Sequence, residues 1–393
     1  MYVPSKKEIV QVRRAAAGQE AKILRETKKL VNIDSPTGYR EGLSKAAEAL
    51  MANCLRRGLQ AELLLQTVQG DHVRATLPGG KEGRILLLGH MDTVFPVGTA
   101  KARPFTLDGD LARGPGVEDM KTGLVLGLAA AELFAHLYPA NERKTLVYLY
   151  NTDEEIRSPS SRATIEEEAR RSQACIVLES GQAEPGSGVV LTSRKGSAKY
   201  TVEALGKPAH SGANHKDGRS AIEEIAWKVL AIQALTNYEK GTTANVGVIR
   251  GGIGFNVVPE HASIEVDFRM TTVDEQHRIV RTMERLARET RVQGVKVTMT
   301  GGITRPPMPR TEANAALFEQ AKAIAKAMGG PLAETTSGGG SDGNLAAAVG
   351  CPVLDGMGVI GRHAHTPEEQ MDLASVTERL TLLVLMLRAL SLA

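Results

Sequence analysis

The run R-I-L-L-L-G-H-M-D-T-V, from Arg84 to Val94, decides how the rest of the chain is read. Ile85 to Leu88 is a short unbroken apolar segment closed by Gly89, which suits a central strand buried on both faces. His90, Met91 and Asp92 follow at once. A histidine and a carboxylate at i and i+2 of an extended segment project from the same side of the chain. The pair therefore stands at the carboxyl end of a strand, where open α/β sheets bind their ligands. A histidine oriented by a nearby carboxylate is a common metal-ligand arrangement, because the outer partner fixes the tautomer. Taken singly, the two residues are equally what a strand end and a turn present.

The same grammar repeats along the chain. Thr145 to Tyr150 is β-rich and runs into Asn151, Thr152, Asp153, Glu154 and Glu155. Ala174 to Leu178 is another buried strand and runs into Glu179. Asp119 stands between a turn-rich G-P-G-V-E and a helical pattern from Met120 to Leu137. Pro352 to Met357 leads through glycines to His363 and His365. Asp119 alone would serve as a helix cap, and Asp153 to Glu155 as a solvated turn. Together, strand ends that deliver His, Asp and Glu without Cys form the ligand set of a hydrolytic zinc site.

The motifs G-H-M-D-T-V, G-V-E-D-M-K-T-G, D-E-E, V-L-E-S and A-H-T-P-E-E occur in this order across nearly the whole chain. In them the chain resembles the dinuclear-zinc metallopeptidase family of glutamate carboxypeptidase, aminoacylase, acetylornithine deacetylase and succinyl-diaminopimelate desuccinylase. The ligand spacings are nearest those of glutamate carboxypeptidase. The resemblance implies that Asp119 bridges two Zn2+ ions. His90 and Glu179 would complete one metal, Glu155 and His365 the other, with Co2+ or Mn2+ as possible substitutes. His365 is preferred to His363 because A-H-T-P-E-E matches the family's terminal motif. The resemblance also makes Glu154 the general base toward a metal-bound water, Asp92 the residue that orients His90, and Asp119–Met120 a cis peptide. G-K-P-A-H-S-G resembles the segment whose histidine, here His210, stabilises an oxyanion from a neighbouring subunit. Asn256 and Arg269 match the pair that holds the substrate's free carboxylate, to which an arginine offers a two-pronged fork. Read alone, His210 is a loop histidine and Arg269 a strand arginine in a surface ion pair.

Composition sets bounds. The chain has 393 residues, 42% hydrophobic, enough for two domains with sizeable cores. A net charge of +3 and 4% aromatic residues leave no footprint for nucleic acid and no stacking platform for bases. Cys54, Cys175 and Cys351 are scattered and odd in number, so a disulfide framework is not expected and a reducing compartment fits. The start, M-Y-V-P-S-K-K-E, lacks an apolar leader core, and Leu380 to Leu387, read as the longest apolar-rich stretch, is too short to span a bilayer. A cytoplasmic protein without membrane or nucleic-acid partners is expected.

In chain order, helical periodicity covers Glu20 to Asn32 and Glu41 to Gly58, joined by the turn I-D-S-P-T-G. Strands are expected at Ala61 to Gln66 and His72 to Leu77, then at the organising stretch, with a helix near Ile165 to Arg171. Such alternation predicts a mainly parallel α/β sheet covered by helices. From about Ser193 the strands alternate instead, as in Ser197 to Leu205 and around Ile264 to Arg269. With helices at Ser220 to Asn237 and Asp274 to Arg291, and strands at Ala244 to Arg250 and Val295 to Thr300, the order is βαββαβ, a ferredoxin-like unit. R-P-P-M-P at Arg305 reads as the linker back. The expected organisation is a discontinuous catalytic domain, 1–192 and 307–393, with an inserted lid and dimerisation domain at 193–306. The glycine run at Ser337 lacks a phosphate-loop signature, but backbone amides there, at Gly340, offer a place for a carboxylate.

Three functions follow as expectations. The first is carboxypeptidase-type release of a C-terminal amino acid from a small peptide or N-acyl amino acid by a homodimer. The second is deacylation or dipeptide cleavage by the same chemistry, although Glu179, where family aminopeptidases usually carry Asp, favours the carboxypeptidase and deacylase side. The third is a silent metal-binding scaffold, which would be expected to have lost a ligand or the base.

Overall fold

The organising stretch forms an inner strand, Lys81–His90, of a six-stranded sheet. The strand order is Gln60–Leu64, His72–Leu77, Lys144–Asn151, Lys81–His90, Ala174–Val177 and Val353–Leu354. Lys81–His90 runs parallel to both neighbours, and Val353–Leu354 continues that direction. The two strands at the other edge join antiparallel. Every residue from Ile85 to His90 is buried, as an apolar run inside a covered sheet requires. His90 pairs with Asn151, and Leu88 with Val177, so three strands end level. The residues just beyond them, Asp92, Glu154, Glu155 and Glu179, leave the sheet at one edge.

This computed structural model describes residues 1–182 and 188–393. They divide into two units, one of residues 1–192, 310–336 and 341–393, the other of residues 193–309 and 337–340. The first unit thus contains the expected sheet. The segment 337–340, assigned from sequence to the first domain, groups with the second, where the Lys195 amide donates to the Ser337 carbonyl at 3.0 Å.

Helix Thr122–Leu137 is buried over most of its length and packs on the sheet at Gly123. A Cβ there would stand 2.1 Å from the Leu178 carbonyl oxygen, so only glycine permits this approach. The expected start at Met120 is displaced because Val117–Lys121 is an irregular turn, with Asp119 at φ −114°, ψ 93° and a cis Asp119–Met120 peptide. Length and composition would let the stretch Val117–Leu137 cross a membrane, but its residues are the core of this unit. It is a longer apolar stretch than Leu380–Leu387, which lies inside helix Ala374–Leu392. An N-terminal helix, Lys6–Ala17, was not anticipated. Its Ile9, Val12 and Ala16 are buried at helical spacing, and Ser5 Oγ caps it by accepting the Glu8 amide at 3.2 Å, but flanking K-K and R-R pairs obscure the pattern.

The second unit has the order βαββαβ. Its antiparallel sheet runs Thr243–Gly251, His261–Met270, Gly196–Leu205, Lys296–Arg305, the ferredoxin-like arrangement. Ala198, Tyr200, Val202, Ala204, Ile264 and Phe268 bury one face against Ile225 of helix Ala221–Gln233 and Ile279 and Met283 of helix Val273–Arg288.

Candidate metal centre

At the level edge of the large sheet, five side chains from five segments converge. His90 Nε2 lies 3.1 Å from Asp119 Oδ1 and 3.6 Å from Glu179 Oε1. His365 Nε2 lies 3.0 Å from Asp119 Oδ2 and 3.4 Å from Glu155 Oε2. The two oxygens of Asp119 thus face two different histidines, each accompanied by a second carboxylate. Ligand atoms of His90, Asp119 and Glu155 lie within 4.8 Å of one another. Of the two candidate histidines near the C-terminus, His365 reaches this cluster. Both take positive φ, 67° for His363 and 65° for His365, on the turn that brings His365 in.

His90 is oriented from behind. Its Nδ1 is 3.0 Å from the Asp92 backbone carbonyl and 3.4 Å from Asp92 Oδ1. A ring that donates from Nδ1 presents the Nε2 lone pair to a cation. Asp92 does more than the sequence suggested. Its carboxylate also accepts the amides of Glu154 at 3.2 Å and Glu155 at 3.1 Å, and the Thr37 hydroxyl at 2.7 Å. One carboxylate therefore fixes both the histidine and the turn Glu154–Ile156. Thr37 lies in I-D-S-P-T-G, read from sequence only as a connector; nothing but tertiary contact reveals its part. Asp153 braces the same turn from the other side, accepting the Ser160 amide and hydroxyl at 2.6 and 2.7 Å and the Ser161 hydroxyl at 2.6 Å.

The electrostatics call for positive charge. Burial works against a charged His90, yet the hydrogen bonds it donates to Asp119, Asp92 and Glu179 hold it well above the usual histidine range. The Asp119 and Glu155 carboxylates push His365 up to about 11. Burial alone would raise the Asp119 carboxyl, but its two histidines hold it well below the usual range. Burial raises Glu155, against the pull of His365. Three carboxylates crowded around two imidazoles, with Nε2 lone pairs available once protons leave, fit divalent cations of the zinc type.

In the second unit, the loop bearing His210 pairs with the loop bearing Asn256. His210 bridges Val257, and the Ser211 amide donates to the Asn256 carbonyl at 3.0 Å. His210 Nδ1 accepts the amides of Gly212 and Ala213, both at 3.1 Å, so the proton sits on the exposed Nε2. Arg269 is not brought to this pair. It lies eight residues along strand His261–Met270 from the end where these loops sit, about 26 Å at ~3.3 Å per residue. Its Nε donates to Asp267 Oδ2 at 2.9 Å. Gly340 lies in the segment held beside Lys195, and its neighbours' amides turn inward: Ser341 donates to Asn344 Oδ1 at 2.9 Å and Gly343 to Ser341 Oγ at 3.0 Å.

The model of peptidase family M20/M25/M40 matches residues 86–389. The chain belongs to that family. Carboxypeptidase G2 of a Pseudomonas species is 31% identical over 372 residues, covering 93% of this chain and 88% of the relative. Succinyl-diaminopimelate desuccinylase of Burkholderia lata is 28% identical over 318 residues, covering 76% and 80%. Among solved structures, the aminopeptidase PepT of Bacillus cereus superposes with a TM-score of 0.77 at 23% identity over 94% of this chain and 98% of that one, a likeness of fold. The protein is therefore an enzyme of the M20 metallopeptidase family, a peptidase or amidohydrolase. That excludes the silent-scaffold reading.

Proposed function

We propose that the enzyme releases a C-terminal amino acid from a small peptide or N-acyl amino acid, in the manner of a glutamate carboxypeptidase, using two zinc ions. The observation that carries this reading is Asp119, whose two oxygens each face a different histidine, His90 and His365. In this reading His90, Asp119 and Glu179 hold one ion, and Glu155, Asp119 and His365 the other. When bound, the metal pair supplies Lewis acidity toward the scissile carbonyl and toward water. The chain's own residues do the rest. Glu154 accepts the proton of the attacking water and returns it to the leaving amine. Asp92 keeps His90 and the Glu154 turn in register. His210 offers its Nε2 proton to the oxyanion. Asn256 and Arg269 hold the substrate's free carboxylate, and Gly340 belongs to the same anion-binding proposal. The 31% identity to a relative named a carboxypeptidase, together with Glu179, supports this reading over dipeptide cleavage. The desuccinylase among the relatives keeps N-acyl deacylation as the second reading. The three buried, unpaired thiols suit the cytoplasm.

After zinc reconstitution the protein should carry two ions per chain and release amino acids from N-acyl amino acids and dipeptides with a free C-terminal carboxylate. Elemental analysis giving one metal or none would contradict the site. Release only from substrates with a blocked C-terminus would contradict the carboxypeptidase reading.

A homodimer through the second unit is part of the proposal. Strand Thr243–Gly251 is an edge strand, and Ile249, Ile253 and Phe255 on and after it are 62%, 92% and 102% exposed. An edge with such side chains invites pairing with a second copy. The separation of Arg269 from His210 and Asn256 supports the same conclusion, since one small substrate spans nothing like that distance within one chain. Arg269→Ala should raise KM about tenfold or more with a smaller change in kcat, because a charge-assisted hydrogen bond to a bound carboxylate contributes ~1.5–3 kcal/mol. Steady-state kinetics with an unchanged KM would remove Arg269 from the carboxylate site.

A further inference from the structure

The turn Val117–Lys121 that carries Asp119 makes no regular helical bonds at its centre, since Asp119 and Met120 are both outside helical φ/ψ. Its amides need other acceptors. Gly116 takes φ +75°, a conformation natural to glycine, and the amides of Gly116, Glu118 and Asp119 then converge on one point. Successive amides arranged in this way form a cradle for an anion. The chain fills that cradle itself. Glu369 Oε2 accepts the Gly116 amide at 2.8 Å, and Oε1 accepts the amides of Glu118 at 2.8 Å and Asp119 at 3.0 Å. Glu369 is 1% exposed, so all three bonds are shielded from water; burial pushes its carboxyl up to about 7, against the pull of the three amides.

Glu369 also belongs to the turn of His365. Its amide donates to the Thr366 carbonyl at 3.2 Å, and the Thr366 amide to the His363 carbonyl at 3.1 Å. From outside, Arg103 Nη1 donates to the Pro367 carbonyl at 2.8 Å. One carboxylate thus clips the Asp119 turn to the His365 turn, the two segments whose side chains meet at 3.0 Å in the centre. The sequence A-H-T-P-E-E contains Glu369, but nothing in its spacing says which of the two glutamates turns inward.

We propose that Glu369 is a positioning residue for the metal pair: by binding the Gly116, Glu118 and Asp119 amides it fixes Asp119 against His365. The proposal rests on Asp119 and His365 being metal ligands. Its consequence is specific. Loss of the clip should loosen Asp119 as a shared ligand, while substrate binding through Arg269 and Asn256 stays as it was.

The test compares wild type, Glu369→Gln and Glu369→Asp. In metal-free protein, amide hydrogen exchange of the 114–121 segment should speed up in Glu369→Gln while the central strands keep their protection. Zinc affinity, measured by chelator competition, should fall about 10–100-fold for the weaker-held ion, the size expected for a lost outer partner of a ligand. The Co2+ absorption spectrum should change, and kcat should fall with KM unaltered. Glu369→Asp, with the same charge one methylene shorter, should recover part of each. Wild-type zinc affinity and cobalt spectrum in a folded Glu369→Gln would overturn the proposal, whatever its melting temperature. If Glu369→Gln does not fold, Glu369→Asp decides: unchanged affinity and spectrum there reduce Glu369 to a structural residue. Wild type failing to take up two ions would instead refute the ligand assignment, and with it the premise.

Discussion

A Glu154→Gln enzyme should keep its two metals and lose about 10²–10⁴-fold in turnover, the usual share of a positioned acid–base group. Glutamine matches glutamate in shape. The Glu154 amide would still donate to Asp92 Oδ1, now 3.2 Å away, so the turn that also carries Glu155 should hold its course. On the proposed reading, the substitution removes the proton acceptor. Glu154 is 9% exposed, so bulk water is a poor replacement for it. Metal content by elemental analysis and kcat on the best substrate check the two halves of the expectation together. Near wild-type turnover with both ions present would assign the base elsewhere. Loss of metal along with turnover would mean that Glu154 is a ligand or a brace of one.

The second large effect is a gain. Mixing inactive His210→Ala chains with inactive Glu154→Gln chains should restore activity in the heterodimer, up to about half that of wild type. If each site takes His210 from the partner, the mixed dimer has one site with both groups intact and one with neither. His210 suits the role because both of its ring positions are accounted for: Nδ1 accepts two amides and Nε2 faces outward with its proton. The C₂ assembly that this requires is the commonest closed form of a homo-oligomer. Activity that does not return in a heterodimer verified by mass would place His210 in its own chain's site, or in none.

Much of this enzyme is written in short apolar runs that stop at a charged residue. Ile85 to Leu88, Thr145 to Tyr150 and Ala174 to Val177 are continuous apolar or β-branched segments, and such runs are stable chiefly as strands covered on both faces. The residues after them therefore had to emerge at strand ends. The alternation of Ser197 to Leu205 likewise announced a sheet with one buried face, and the βαββαβ order followed from it. The family motifs supplied the pairing of His90 and Glu179, and of Glu155 and His365, on the two sides of Asp119; spacing by itself carried no such information.

Tertiary structure decided what depends on contacts between distant segments. Local sequence around His363 and His365 gives both the same chemistry, and only the turn's path brings His365 to Asp119. Thr37 on Asp92 and Glu369 on the Asp119 turn are hydrogen bonds that no local pattern encodes. Asn256 and Arg269 look like neighbours along the chain, yet an extended strand carries them to opposite ends of a sheet. The segment 337–340 was placed with the catalytic unit on chain order, whereas its backbone bonds to Lys195. In each case the reason is the same. Periodicity fixes which face of an element is buried, but a long-range hydrogen bond depends on where two elements meet, and that is set by the packing of the whole unit.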